Sequence, residues 1–287
     1  MKDLSEQDLQ ANIPLATRKT EGHKSCVRIG SITIGGDRFI VIAGPCAIES
    51  EEQILEIARE VKSAGASLLR GGAYKPLTFP YRNERMFELG EKGLRYLHRA
   101  GREVGLPVVT EVIDVRLVES VAQWADMLQI GARNMQNIPL LVEVAKTKKP
   151  VLLKRHPGAS LRDWLGAAEY FLYHGNPNVV LCERGVVAPH THEPTSRFLV
   201  DLEVIPAVRE YSHLPILVDP SHATFKRSYI APVAKAALAI GADGIMVDVH
   251  PTPEKAAVDP LQALSYPAFR ELMKSLRKIG EAVGKTV

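Results

Sequence analysis

A closed (β/α)8 barrel is the fold class that the sequence predicts, on three observations. Eight short apolar runs recur from about residue 39 to the end of the chain, and a helical stretch follows each. Eight such steps in roughly 250 residues match the usual size of a closed parallel barrel. Nearly every run stops on a polar residue: Arg70, Glu111, Gln129, Lys154, Glu183-Arg184, Asp219 and Asp248, with Gly44-Pro45-Cys46 after the first. Closure places all strand C-termini on one rim, so residues far apart in sequence would meet in one pocket. A doubly wound open sheet is the alternative. It usually has fewer strands and one phosphate-binding turn; no Gly-x-Gly-x-x-Gly opens a helix after the first strand, and there is no Walker loop.

Residues 1–25 are polar without steady periodicity and read as an arm, mobile or docked on a partner. The domain that follows is 26–287, and it begins with a segment, 26–37, that alternates around glycines as a β-hairpin does and is placed to plug the barrel floor. The first barrel strand is Phe39–Ala43. Ser50-Glu51-Glu52-Gln53 reads as a capping box, the serine capping an early N–H and the glutamine reaching back. A helix to about Ala64 follows, with Ile54, Ile57, Ala58 and Val61 on one face, and Gly65 ends it. Later strands are Leu68–Arg70, Pro107–Glu111, Met127–Ile130, Val151–Lys154, Val179–Cys182, Pro215–Val218 and Gly244–Asp248. They are short, apolar and bounded by Gly, Pro or Asp, as strands buried on both faces are. Helices are predicted over Ile138–Ala145, Leu161–Tyr173 and Val233–Ile240, and Pro267 suits the first turn of a last one.

Composition bounds the function. With 287 residues, 46% of them hydrophobic, the chain can bury a large core. A net charge of +3 without a dense basic stripe argues against nucleic acid. No apolar run reaches membrane-spanning length, and the start of the chain is too polar for a signal peptide. Three cysteines without paired spacing point to a reducing, cytoplasmic setting.

Two constellations share the predicted rim. Cys46, His222, Asp248 and Asp259 fall on or just after strands that closure makes neighbours. A thiolate, imidazole and carboxylate set suits Mn, Fe, Co or Zn better than Ca or Mg. Each also has a plainer reading: Cys46 as a small apolar residue, Asp219 and Asp259 as turn-ordering residues before proline, His250 as a competing ligand or a loop histidine. The second constellation is cationic: Arg70, Lys75, Arg133, Lys154, Arg155 and Arg184. Charges at the ends of buried strands need anionic partners. These are either a substrate with several negative charges or carboxylates such as Glu111 and Glu183. Gly71-Gly72 would let backbone approach a ligand closely.

The strings Ile42-Ala-Gly-Pro-Cys-Ala-Ile-Glu-Ser50, Leu69-Arg-Gly-Gly-Ala-Tyr-Lys-Pro76, Gln129-Ile-Gly-Ala-Arg-Asn134, Leu152-Leu-Lys-Arg155, Leu181-Cys-Glu-Arg-Gly185, Val218-Asp-Pro-Ser-His222 and the segment 241–251 resemble 3-deoxy-D-arabino-heptulosonate 7-phosphate (DAHP) synthase, and most closely its compact bacterial and archaeal type I beta subclass. The resemblance implies a metal-dependent TIM barrel that condenses phosphoenolpyruvate with erythrose 4-phosphate, the first step of the shikimate pathway. The partners it implies are phosphorylated small molecules and further copies of the chain, as a homodimer or homotetramer. It implies Cys46, His222, Asp248 and Asp259 as metal ligands. It places Arg133, Lys154 and Arg184 at the phosphoenolpyruvate phosphate, Arg70 and Lys75 near its carboxylate and reacting carbons, and an N–H at Ala132. Catalytic roles fall to Lys75, Cys46 and His222, with Glu111 or Glu183 assisting water. The family usually has Lys-Pro-Arg-Thr where this chain has Lys75-Pro76-Leu77-Thr78. Thr78 remains as a substrate contact, and Arg82, Arg85 or Arg227 would replace the absent arginine. Asp248 stands where glutamate is usual. The arm is too short for the regulatory domain of some relatives, so no feedback through such a module is expected. Competing readings are a 3-deoxy-D-manno-octulosonate 8-phosphate synthase using arabinose 5-phosphate, a secondary-metabolism paralogue, and a non-catalytic phosphate-binding protein.

Overall fold

The computed structural model describes residues 6–75, 88–189 and 197–287. After a short helix α1 (Glu6–Asn12), the chain forms the predicted hairpin from β1 (Val27–Ile29) and β2 (Ile32–Ile34), paired antiparallel. Then come β3 (Ile40–Gly44), α2 (Glu51–Ala64), β4 (Leu68–Arg70), α3 (Glu91–Val104), β5 (Val108–Val112), α4 (Val118–Trp124), β6 (Met127–Ile130), α5 (Ile138–Lys146), β7 (Val151–Lys154), α6 (Leu161–Tyr173), β8 (Val179–Glu183), α7 (Val204–Tyr211), β9 (Ile216–Val218), α8 (Pro220–Thr224), α9 (Arg227–Ala239), β10 (Gly244–Asp248) and α10 (Tyr266–Ala282). Strands β3 to β10 close into an eight-stranded parallel barrel. The closing pair is β10 with β3, in a register that sets Asp248 opposite Gly44.

Side-chain alternation divides the strands into two sets. Ile40, Ile42, Leu68, Val109, Met127, Leu152, Val180, Cys182, Leu217 and Met246 form one buried cluster inside the barrel. Their odd-numbered or even-numbered neighbours, such as Val41, Leu69, Leu153 and Val247, join the larger cluster under the helices. Val27, Ile29 and Ile34 of the hairpin belong to the inner cluster, so the hairpin does plug the barrel floor. Full burial of each such side chain contributes about 1.5–3 kcal/mol relative to exposure.

Continuing the inward alternation by one step to the C-terminal ends names the upper layer: Arg70, Glu111, Gln129, Lys154, Arg184, Asp219 and Asp248. The same count turns Arg155 and Glu183 outward. They pair with each other at 3.1 Å, Arg155 also reaches Asp201 at 2.7 Å, and neither lines the cavity above the barrel. Arg155 is thereby removed from the predicted cationic rim, and Glu183 from the candidates for assisting water.

Three local features depart from expectation. The arm is docked on the barrel itself. Ile13 and Ala16 are buried, the Leu15 and Ala16 N–H groups donate to Glu169 at 2.8 and 2.7 Å, and Ser212 donates to the Ala16 carbonyl at 2.7 Å. Ile13 and Ala16 are the arm's buried apolar residues, with Leu9 packed beside the core, too few to register as periodicity. In the cap of α2, Ser50 Oγ accepts from Gln53 N, but Gln53 reaches back to the Glu49 N–H at 3.0 Å, one residue beyond the expected box. Helix α9 runs through Pro232 instead of starting after it, because Ile230, Ala234, Ala237 and Leu238 bury one continuous stripe. That burial outweighs one missing backbone hydrogen bond.

Candidate active site

Five-residue helix α8 is the pivot of the rim. Pro220 occupies its first turn, where a missing N–H costs nothing, and the Asp219 carboxylate caps it by accepting from His222 N at 3.0 Å. The same carboxylate contacts His222 Nδ1 at 2.9 Å. An ionised carboxylate only accepts, so Nδ1 carries the proton and Nε2 presents its lone pair to the rim. Around Nε2 stand Cys46 Sγ at 3.6 Å, Asp248 Oδ2 at 3.6 Å and Asp259 Oδ2 at 3.9 Å. Cys46 Sγ lies 3.1 Å from Asp259 Oδ2. Cys46, His222 and Asp259 therefore come together, and Asp248 approaches the group through His222. Asp248 is the most encumbered, since Arg70 forms an ion pair with its Oδ1 and Gln262 donates to its Oδ2. Asp259 has a left-handed backbone (φ 54°), a conformation Asp tolerates and one found at functional positions.

These distances fit one small dication. Ligand bonds of about 2.0–2.3 Å imply ligand-to-ligand edges of about 3–4 Å in tetrahedral or octahedral geometry. Cys46, His222 and Asp259 meet that requirement with one donor atom each, in a soft and borderline mixture that suits a transition ion. Burial raises the Cys46 thiol, against the opposing pull of Lys75. Burial likewise lowers His222, to about 3, so it is a neutral imidazole. Burial alone would raise Asp219, but His222 and Lys154 beside it outweigh that and hold it well below the usual carboxylate range.

His250 is excluded as a ligand. Its Nε2 faces Glu49 Oε1 at 3.2 Å and its Nδ1 accepts from Thr252 N at 3.1 Å. Glu49 also accepts from Ala257 N at 2.9 Å, so the pair ties down the loop that delivers Asp259.

Beside the cluster opens a cavity of about 510 Å³, within the range of small-ligand sites. Arg70, Lys75, Ala132, Arg133, Lys154 and Arg184 all line it. Lys154 is ion-paired with Asp219 and Arg70 with Asp248, so part of the cationic rim does pair internally. Arg184 is buried, donates to the His222 carbonyl at 2.8 Å, and has no carboxylate within ion-pair distance among the described residues. Lys75 Nζ lies 2.9 Å from the Cys46 carbonyl and 3.1 Å from its sulfur. Gly72 permits this approach: a Cβ there would stand 2.4 Å from the Cys46 carbonyl and 2.9 Å from Lys75 Cδ. The close contact at Gly71-Gly72 is thus with neighbouring loops. Glu111 lines the cavity, held by Gln129 at 3.0 Å. Ala132 opens a short 3-10 turn after Gly131, where first-turn N–H groups lack intrahelical partners.

Thr78, Leu77, Arg82 and Arg85 lie outside the described residues. Arg227 does not serve the cavity, because its guanidinium bonds Glu254 and the Pro260 and Ala263 carbonyls. Sequence reading missed Gln262, which clamps Asp248, and Arg197 at the cavity mouth; both sit in irregular loops with no periodic signal.

Fold and rim together define a (β/α)8-barrel enzyme with a cation-lined cavity beside a Cys, His and Asp cluster. The chain belongs to the DAHP synthetase I family, whose model matches residues 12–284. It is 43% identical to the phospho-2-dehydro-3-deoxyheptonate aldolase of Thermotoga maritima, over 95% of this chain and 79% of that protein. A truncated form of the 3-deoxy-D-arabino-heptulosonate 7-phosphate synthase from Thermotoga maritima superposes with a TM-score of 0.88 at 41% identity, covering 96% of this chain and 99% of that one. A 2-dehydro-3-deoxyphosphooctonate aldolase of Syntrophotalea carbinolica is 28% identical over 90% of this chain and 96% of its own. No helix among the described residues is long and apolar enough to cross a membrane.

Proposed function

We propose that the protein catalyses the metal-dependent condensation of phosphoenolpyruvate with erythrose 4-phosphate, giving DAHP and phosphate. The observation that carries this reading is the junction on one rim of the Cys46, His222 and Asp259 donor set with a cation-lined cavity. Membership of the family supports it.

Cys46, His222, Asp259 and Asp248 would hold the divalent ion, which supplies Lewis-acid polarisation of an aldehyde carbonyl when bound. Arg133, Lys154, Arg184 and the Ala132 N–H hold the phosphate of phosphoenolpyruvate, and Arg70 lies toward its carboxylate. This leaves the enol carbon facing the aldehyde. Carbon–carbon bond formation puts negative charge on the former aldehyde oxygen, and Lys75, on the same side of the cavity as Cys46, gives that oxygen a proton. Water adds at the cationic carbon, with Glu111 as the carboxylate placed to take its proton. The carbon–oxygen bond to phosphate then breaks as the new hydroxyl becomes the ketone, its proton going to the departing phosphate, which leaves into cations already aimed at it.

The test supplies phosphoenolpyruvate, a divalent metal and a panel of aldehyde phosphates, and measures phosphate release. Turnover is expected with erythrose 4-phosphate at least about tenfold faster than with arabinose 5-phosphate, a margin worth about 1.4 kcal/mol. The opposite preference would favour the octulosonate reading, which the relative at 28% identity keeps in play. Absence of turnover with every aldehyde would favour a binding protein. Arg184→Ala is expected to raise the KM for phosphoenolpyruvate about tenfold or more, since one hydrogen bond to a charged group contributes about 1.5–3 kcal/mol. Unchanged kinetics in that variant would remove Arg184 from the phosphate site.

A further inference from the structure

Arg184 is not alone at the mouth of the cavity. Arg197 lines the same space, and the Phe198 ring lies 4.6 Å from the Arg184 guanidinium and 5.1 Å from that of Arg197. Arg197 also faces the Phe225 ring at 5.5 Å. The backbone around it is held to the pivot of the site: Phe198 N donates to the Ala223 carbonyl at 3.0 Å and Arg197 N to the Thr224 carbonyl at 3.4 Å, both on α8. Leu199 and Val186 exchange backbone hydrogen bonds at 3.0 and 2.8 Å, which pins the segment to the loop after β8 as well. Arg197 is therefore anchored to the five-residue helix that carries His222.

Arg197 lines the cavity together with Arg184 of the anion bed and with His222 and Asp259 of the metal-type cluster. Among the described residues no carboxylate is within ion-pair distance of either arginine. Two arginines lining one cavity, neither ion-paired to a carboxylate of the described residues, favour an anionic ligand there. The aromatic faces of Phe198 and Phe225 restrain the guanidinium without neutralising it.

We propose that Arg197 is a specificity-determining residue that binds the phosphate of the aldehyde substrate. This rests on the function proposed above and extends it. In the function proposed above, Arg133, Lys154 and Arg184 take the first phosphate. The second substrate places its carbonyl at the metal-type cluster and carries its phosphate a few bonds away. Arg197 is the cation anchored on that side, and it answers the absence of the usual arginine at Leu77, a task that Arg227 does not perform.

The test compares wild type, Arg197→Gln and Arg197→Lys with erythrose 4-phosphate and with unphosphorylated erythrose, phosphoenolpyruvate saturating. The glutamine variant is expected to show at least a tenfold higher KM for erythrose 4-phosphate, a KM for phosphoenolpyruvate within twofold of wild type, and a clearly smaller loss with erythrose than with erythrose 4-phosphate. The lysine variant should recover part of the loss. Equal losses on phosphorylated and unphosphorylated aldehyde, an effect confined to phosphoenolpyruvate, or no effect would each overturn the assignment. Calorimetric binding of erythrose 4-phosphate to the wild type and Arg197→Gln proteins reads the same contact without turnover. Inactive wild type would sink the proposed condensation, whereas active wild type with an indifferent Arg197→Gln sinks only this assignment.

Discussion

Replacing His222 or Cys46 by alanine is expected to abolish stoichiometric binding of a divalent ion and to lower condensation at least about a thousandfold. The magnitude follows from the several kcal/mol that Lewis-acid polarisation contributes, at about 1.4 kcal/mol per factor of ten. His222 matters because its ring is fixed from behind, through Asp219 at Nδ1. Cys46 matters because its sulfur stands within 3.6 Å of the histidine nitrogen and 3.1 Å of the Asp259 carboxylate. Metal content by elemental analysis and phosphate release by coupled assay check the two halves separately. Full activity in metal-stripped Cys46→Ala would falsify the role assigned to the thiolate.

Asp219→Asn is the second large effect, and it acts at a distance from any substrate. Asp219 is completely buried and serves three partners: Lys154, the His222 backbone N–H and His222 Nδ1. The amide keeps the shape and can still accept one hydrogen bond, but it removes the charge that Lys154 faces. Breaking a buried ion pair on one side costs about 3–5 kcal/mol. Losing the carboxylate behind a ligating histidine lowers metal affinity about 10- to 100-fold. The variant is therefore expected to unfold at a lower denaturant concentration and to bind metal more weakly. Phosphoenolpyruvate should stabilise it more than it stabilises wild type, because the substrate phosphate gives Lys154 a replacement anion. Denaturant melts with and without phosphoenolpyruvate, together with a metal titration, check this. Wild-type stability with wild-type metal affinity would show that Asp219 only orders the turn before Pro220.

Much of this site was legible because a charge at the end of a buried apolar strand is costly and therefore conspicuous. Arg70, Lys154, Asp219 and Asp248 announced themselves in that way, and strand alternation put all four inside the barrel. Alternation also explains the error at Arg155 and Glu183, which adjoin inward-facing residues but point under the helices. Asp259 carries no local signal. It lies on an irregular loop, where sequence offered only an acid beyond the last strand that the resemblance then made a ligand, and the structure supplies the left-handed backbone and the Glu49–His250 tie that aim it. Docking of the arm escaped notice because Ile13 and Ala16 are two contacts, not a pattern. Arg197 escaped because nothing in an arginine on a loop tells which carboxylates will fail to reach it.

Anomalous diffraction from crystals grown with manganese, collected on either side of its absorption edge, measures the central claim most directly. A single strong peak within bonding distance of Cys46 Sγ, His222 Nε2 and Asp259 Oδ2, beside the cation-lined cavity, is the predicted result. A peak elsewhere on the barrel, with the Cys46 and His222 donors left vacant, would contradict it.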